Sequence, residues 1–258
     1  MSTTLSGQSR HWSRHASQYD DVFLDPFISG VENPMLAALE AVADPGSKTV
    51  ADLGCGTGPL LPILVGRYAE VFALDFASGM IARSRERLGP DASRVTFLKR
   101  RMDELNDYQG RFDVVVAVNS LVMPDVRDID RTLSAIHASL RPDGQFLGVV
   151  PAMDALYYQT LLLVDRALAE GHSPKEAERL AAHQAEHSLY DFTFGRFSFQ
   201  GLHQKFWQAI EIEYRLRRAG FAEIRIDKLL YPWDDNLPGG SNFTAYPRSW
   251  DWTFSARP

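Results

Sequence analysis

A single cysteine, Cys55, is the only thiol in 258 residues, which excludes an internal disulfide and a multi-cysteine metal cluster and suits a reducing compartment. No apolar run reaches the ~18 residues that cross a bilayer, and the opening M-S-T-T-L-S-G-Q-S-R lacks the apolar core of a signal peptide. The expectation is a cytoplasmic protein with no membrane partner. Basic residues are in deficit, 27 Lys and Arg against 33 Asp and Glu, for a net charge of -6. Proteins that grip nucleic-acid phosphates carry the opposite balance, so no nucleic-acid partner is expected. The run Lys99-Arg100-Arg101 is too short to change that and reads as a solvated strand end. There is no internal repeat and no low-complexity segment. What remains is 45% apolar residues, enough to bury the core of one α/β domain with a subsidiary cap.

The rest of the chain is organised around T-V-A-D-L-G-C-G-T-G, Thr49 to Gly58. Thr49, Val50, Ala51 and Leu53 read as a short buried strand. Gly54, Gly56 and Gly58 then supply a backbone that can turn through positive φ and lie against a ligand with no Cβ between. The spacing is G-x-G-x-G, whereas a dinucleotide fingerprint is G-x-G-x-x-G. Asp52, just before the glycines, would repel a pyrophosphate but could accept hydrogen bonds from a ligand ammonium. Both features disfavour a nucleotide-dependent dehydrogenase. About 20 residues on, Val71 to Leu74 ends in Asp75, the register in which nucleotide folds place a ribose carboxylate.

The chain resembles the class I, Rossmann-like S-adenosylmethionine-dependent methyltransferases of small-molecule type. Four blocks in family order carry the resemblance: D-L-G-C-G-T-G at 52 to 58, A-L-D-F-A-S-G-M at 73 to 80, F-D-V-V-V-A-V-N-S at 112 to 120 and L-R-P-D-G-Q-F at 140 to 146. It implies a doubly wound, seven-stranded, mostly parallel sheet with an antiparallel last strand, and S-adenosyl-L-methionine as cofactor. By the same resemblance Asp75 binds the ribose hydroxyls, Phe76 after it is a further cofactor-binding residue, and Asp52, Gly54, Cys55, Gly56 and Gly58 take the methionine end. Met80, Met102 and Asp103 take the adenine side, and Asn119 and Ser120 lie near the methyl group. Asp103 could instead cap the next short helix. The chain lacks both the acid and the N-P-P-Y motif that some relatives place after strand four, which weakens a nucleic-acid base as acceptor.

In chain order, Trp12, Ala16 and Tyr19 share one face of a helix over 8 to 19. In the resembled family such a helix closes over the cofactor, which makes Tyr19 a lid residue; docking alone is the alternative. Asn33-Pro34 starts a second helix, to about Ala43, and another follows from about Pro59. Ser78 can cap a helix over 79 to 88. Strands are expected at 71 to 75, 95 to 98, 112 to 118 and 145 to 150, with R-P-D-G as a turn before the last of these. Beyond Val150 come some 50 residues that a minimal fold does not need, expected as a substrate cap. A helix spans 155 to 168 there, and a second, opened by the capping box Ser173-x-x-Glu176, runs to about Leu189. Phe192-Thr193-Phe194, Gly195-Arg196 and Phe197-Ser198-Phe199 read as a hairpin with four phenylalanines on one face, serving as cap core or pocket lining. A helix over 205 to 218, a sixth strand after Gly220-Phe221 and a last strand over 250 to 256 complete the chain.

The parts of the single domain, 1–258, are therefore lid helices over 8–44, a cofactor core over 45–150, the cap over 151–204 and a closing segment over 205–258. The expected function is transfer of a methyl group to an O, N or C atom of a small-molecule acceptor by in-line displacement. A base is needed only for a weakly acidic acceptor, and His187, Tyr190 and His203 are the candidates, each also readable as cap packing. The pairs His11/His15 and His183/His187 lack further ligands, so no metal is expected. The alternative from another class is a sensor or assembly subunit that binds the cofactor without chemistry. Composition does not set the oligomeric state.

Overall fold

The structure, a computed structural model, describes residues 25–258 except 200, 201, 235, 236 and 238. The lid helix expected over 8 to 19, with Trp12 and Tyr19, lies outside the described residues.

The core is a seven-stranded sheet. Its strands are β1 (Thr49–Leu53), β2 (Glu70–Asp75), β3 (Val95–Lys99), β4 (Phe112–Val118), β5 (Leu140–Val150), β9 (Ala222–Tyr231) and β10 (Ser249–Arg257). They lie in the order β3-β2-β1-β4-β5-β10-β9. β10 runs antiparallel to both its neighbours, while the pairings among β1 to β5 are parallel. This is the expected Rossmann-like architecture. β1 and most of β4 are buried throughout, which is why they are mostly apolar without alternation, Thr49, Asp52 and Asp113 being the buried polar exceptions. One face carries Ala51, Phe72, Val115 and Phe146 under α4 (Val126–Ser139) and α7 (Ala209–Arg218). The other carries Val50, Val114 and Leu147 under α1 (Pro34–Glu40) and α2 (Leu61–Arg67). Parallel strands carry their loops at one edge, so the carboxyl ends of β1, β2, β3 and β4 converge there.

Asn33 caps α1 as expected, its Oδ1 accepting from Met35 N at 3.0 Å. Before α3 (Ser78–Leu88) the cap residue is Ala77 rather than Ser78, because the Asp75 carboxylate takes the Ala77 N–H. The R-P-D-G stretch is no separate turn. It is an irregular entry to β5, with Phe112 paired to Leu140 and Val114 to Gln145.

The segment after β5 folds as α5 (Met153–Ala169), α6 (Pro174–Gln184) and a small sheet of β6 (Tyr190–Asp191), β7 (Arg196–Phe199) and β8 (Leu202–Lys205). Four expectations are corrected here. The capping box does not form: no side chain caps at Ser173, and Glu176 pairs with His172. α6 stops at Gln184, and Glu186 turns left-handed at φ 51, so His187 sits in a 3-10 turn. The two-residue hairpin gives way to a longer turn over 192 to 195, with Asp191 paired to Arg196. Asp191 Oδ1 sets that turn by accepting from Thr193 N and Phe194 N, which leaves Phe194 60% exposed and breaks the common phenylalanine face. Finally, α7 begins at Ala209 because Lys205 still belongs to β8.

Candidate active site

At the end of β1 the chain doubles back, and the N–H groups of Gly54 and Cys55 both donate to the Leu74 carbonyl, at 2.7 and 2.9 Å. The three glycines have φ of 71, 54 and 78. A Cβ on Gly54 would lie 2.4 Å from Ser120 Cβ, and one on Gly58 2.7 Å from Ser84 Cβ. These two let the loop pack tightly on its neighbours. A Cβ on Gly56 would meet nothing within 4 Å, so that side of the loop is open.

Asp75 closes the loop from the end of β2. Its Oδ2 accepts from Gly56 N at 3.1 Å and its Oδ1 from Ala77 N at 2.7 Å. A carboxylate has about four acceptor sites, so capacity remains for a ligand. Burial pushes its pKa up to about 6, against the opposing pull of these backbone N–H groups. Asp52, buried behind the glycines, is pushed up to about 7, first by desolvation and then by the neighbouring Asp75 charge.

The loop opens onto a cleft of about 960 Å³, its open mouth included. Of the sequence candidates, Gly54, Gly56, Asp75, Phe76, Met80, Met102, Asp103, Asn119, Ser120 and His203 line it. Asp52, Cys55 and Gly58 do not: Asp52 is buried behind the loop, while within it Cys55 packs into the core and Gly58 packs against Ser84 and Leu61. His187 and Tyr190 are in the cap and are not among the lining residues. His187 Nε2 shares a hydrogen bond with Thr160 Oγ1 at 2.8 Å, and its ring meets the Phe192 ring edge-on at 5.0 Å. Tyr190 packs among Phe192, Phe197 and Phe206, where burial pushes its pKa up to about 12. Burial pushes His187 down.

His203 reaches the cleft because β8 docks on the loop after β4. Lys205 N donates to the Val122 carbonyl at 2.9 Å and Trp207 Nε1 to Leu121 O at 2.8 Å. His203 Nδ1 is engaged by Ser198 Oγ at 2.8 Å, leaving Nε2 as the other ring nitrogen. The same docking brings in Gln204, which sequence reasoning missed along with Arg101, Val122, Met123, Asp128 and Thr132. Arg101 grips Asp103 through Nε and Nη2 at 2.8 and 2.7 Å, and Asp128 lies 3.8 Å from the same guanidinium. Asp128 and Thr132 are one turn apart on α4, the only sequence signal that they share a face.

A family profile described as methyltransferase domain matches residues 50–144. Malonyl-[acyl-carrier protein] O-methyltransferase of Acetivibrio thermocellus is 30% identical over 139 residues, covering 52% of this chain and 45% of the relative. The chain spans less than half the length of the curated relatives it matches. Among solved structures, the DhpI-SAM-HEP complex aligns with a TM-score of 0.62 at 18% identity, over 100% of this chain and 99% of that one. The Burkholderia thailandensis 1,6-didemethyltoxoflavin-N1-methyltransferase, with bound 1,6-didemethyltoxoflavin and S-adenosylhomocysteine, aligns at 0.59 with 20% identity, over 97% and 86%. At these identities the structural likeness is one of fold. Residues 50–144, which hold the G-x-G-x-G loop and the acid ending β2, are thus similar to a methyltransferase domain, on the fold that Rossmann-like methyltransferases share.

Proposed function

We propose that the protein binds S-adenosyl-L-methionine and transfers its methyl group to a small-molecule acceptor. The observation that carries this reading is the Asp75 carboxylate, fixed by Gly56 N and Ala77 N at the cleft wall beside the open face of Gly56. The cleft fits such a cofactor: Asp75 has acceptor capacity for ribose hydroxyls, and the Gly54–Gly58 loop with Asp52 behind it suits the methionine end. Met80, Met102 and Asp103 would border the adenine, and Asn119 and Ser120 the region of the methyl group. When bound, S-adenosylmethionine supplies a methyl already activated by its sulfonium.

The protein's own task is then to hold the acceptor in line and keep water out, for which orientation alone contributes up to ~7–11 kcal/mol. Val118, Val122 and Met123 offer apolar wall near Asn119, and the segment over 151–204 adds His203 and Gln204 to the same cleft, which is why we assign it acceptor selection. His203 holds the base role if the acceptor must lose a proton; among His187, Tyr190 and His203 it alone lines the cleft. The attacking atom can be O, N or C.

Asp75→Ala tests the reading. Removing the carboxylate costs roughly 1.5–3 kcal/mol per charge-assisted bond. Calorimetry should show S-adenosylhomocysteine binding to the wild type and none to the variant, with circular dichroism unchanged. Equal affinity in both would put the ribose elsewhere. A subunit that only senses the cofactor would pass this test yet transfer no methyl group.

A further inference from the structure

Behind the cleft, at the carboxyl edge of β5, lies an acid that the proposed chemistry does not use. Asp251 stands in β10, paired with Leu229 of β9 and flanked by Trp252, which pairs with Val150 of β5. Its Oδ2 accepts from the Tyr231 hydroxyl at 2.8 Å and its Oδ1 from Ala152 N at 3.3 Å. The side chain of Asn119 also hydrogen-bonds to this carboxylate. Three elements are thereby joined at one group: β9 through Tyr231, the end of β4 through Asn119, and the cap through Ala152, the residue that caps α5.

Asn119 is the member that lines the cleft. It holds a left-handed backbone, φ 48, which a non-glycine residue adopts at a cost, and its own N–H is fixed on the Val149 carbonyl at 2.8 Å. An ionised carboxylate only accepts, so the Asn119 atom facing Asp251 is Nδ2. Its Oδ1 is buried and has no partner among the described residues. A buried amide oxygen without a donor costs ~1–3 kcal/mol, a cost that a ligand N–H would relieve.

We propose that Asp251 is a positioning residue: by holding Asn119 Nδ2 it keeps the Asn119 carbonyl for the ammonium at the amino-acid end of S-adenosylmethionine. The inference rests on the methyltransferase reading. It goes further in giving an acid two strands from β4 a share of cofactor recognition, and in tying that recognition to the start of the cap.

Two ligands separate positioning from mere support. S-adenosylhomocysteine carries the amino-acid end; 5′-methylthioadenosine carries the same nucleoside without it. Calorimetry should show that the wild type binds both. Asp251→Ala and the isosteric Asp251→Asn should weaken S-adenosylhomocysteine by about tenfold or more while leaving 5′-methylthioadenosine within about twofold. Tyr231→Phe, which leaves the Asn119 contact in place, should show a smaller loss. Asp251→Asn answers if the alanine variant fails to fold. Unchanged S-adenosylhomocysteine affinity in the Asp251 variants overturns the inference while leaving the methyltransferase reading intact. A parallel loss of both ligands reduces Asp251 to a structural role and also overturns it. A wild type that binds neither ligand refutes the methyltransferase reading and this inference together.

Discussion

Replacing Asp52 by asparagine should make the unliganded protein more stable while making it a poorer binder. Asp52 is 3% exposed, and desolvation and the nearby Asp75 charge both raise its pKa, from the ordinary 3.8 to about 7. A raised carboxylate pKa means that the native state keeps a proton the unfolded chain has lost, so stability falls as pH rises from about 4 through about 7. At ~1.36 kcal/mol per pKa unit, a rise of about three units makes the ionised group cost about 4 kcal/mol at pH 8. An asparagine side chain there is isosteric and uncharged and escapes that cost. Urea unfolding with an m-value near ~3 kcal/mol/M would then show the midpoint rising by more than about 1 M at pH 8. At pH 4 both proteins are close to neutral at this position, and the gain should nearly vanish. S-adenosylhomocysteine affinity should fall by about tenfold or more if the carboxylate receives the ligand ammonium directly or through water. A gain below about 1 kcal/mol at pH 8, or the same gain at pH 4 and pH 8, would refute the reasoning.

Gly54→Ala forces a side chain onto φ 71 and places its Cβ 2.4 Å from Ser120 Cβ; the left-handed cost of ~1–2 kcal/mol alone should lower the Tm by about 2–8 °C and weaken cofactor binding with it. Among His203→Phe, His187→Phe and Tyr190→Phe, the first should lower turnover by ~10²–10⁴-fold if the acceptor needs a base, with cofactor affinity kept, and the other two should act through cap stability. Full activity of His203→Phe at every pH would make catalysis positional. With Asp75 at about 6 and Asp52 at about 7, S-adenosylhomocysteine affinity should climb as pH rises from about 5.5 to 7.5, with protons released on binding. Calorimetry in buffers of different ionisation enthalpy detects that release, and a flat profile would show that the ligand does not need the ionised carboxylates.

The core strands were legible because burial on both faces leaves an unmistakable mark: Phe112–Val118 is apolar without alternation apart from Asp113, and β1 is followed by three glycines that do different jobs. The cap was less legible. Its turn depends on one Asp191 oxygen capturing two N–H groups, and its second helix ends at a left-handed Glu186, features that periodicity does not encode. The same limit applies to the cleft. Residues next to a glycine or a strand end, such as Asp75 and Asn119, announce themselves, whereas Gln204 arrives only because Trp207 and Lys205 pin β8 to the loop after β4. Asp251 hides between Trp250 and Trp252, and nothing local marks it as the group behind Asn119.

The central claim, that this cleft transfers a methyl group, is tested most directly by incubating the protein with methyl-labelled S-adenosylmethionine and fractionated small-molecule extract. Label should appear in at least one low-molecular-mass product, formed together with an equal amount of S-adenosylhomocysteine and abolished by Asp75→Ala. Tight S-adenosylhomocysteine binding without label in any fraction would contradict it and leave a protein that binds the cofactor without using it.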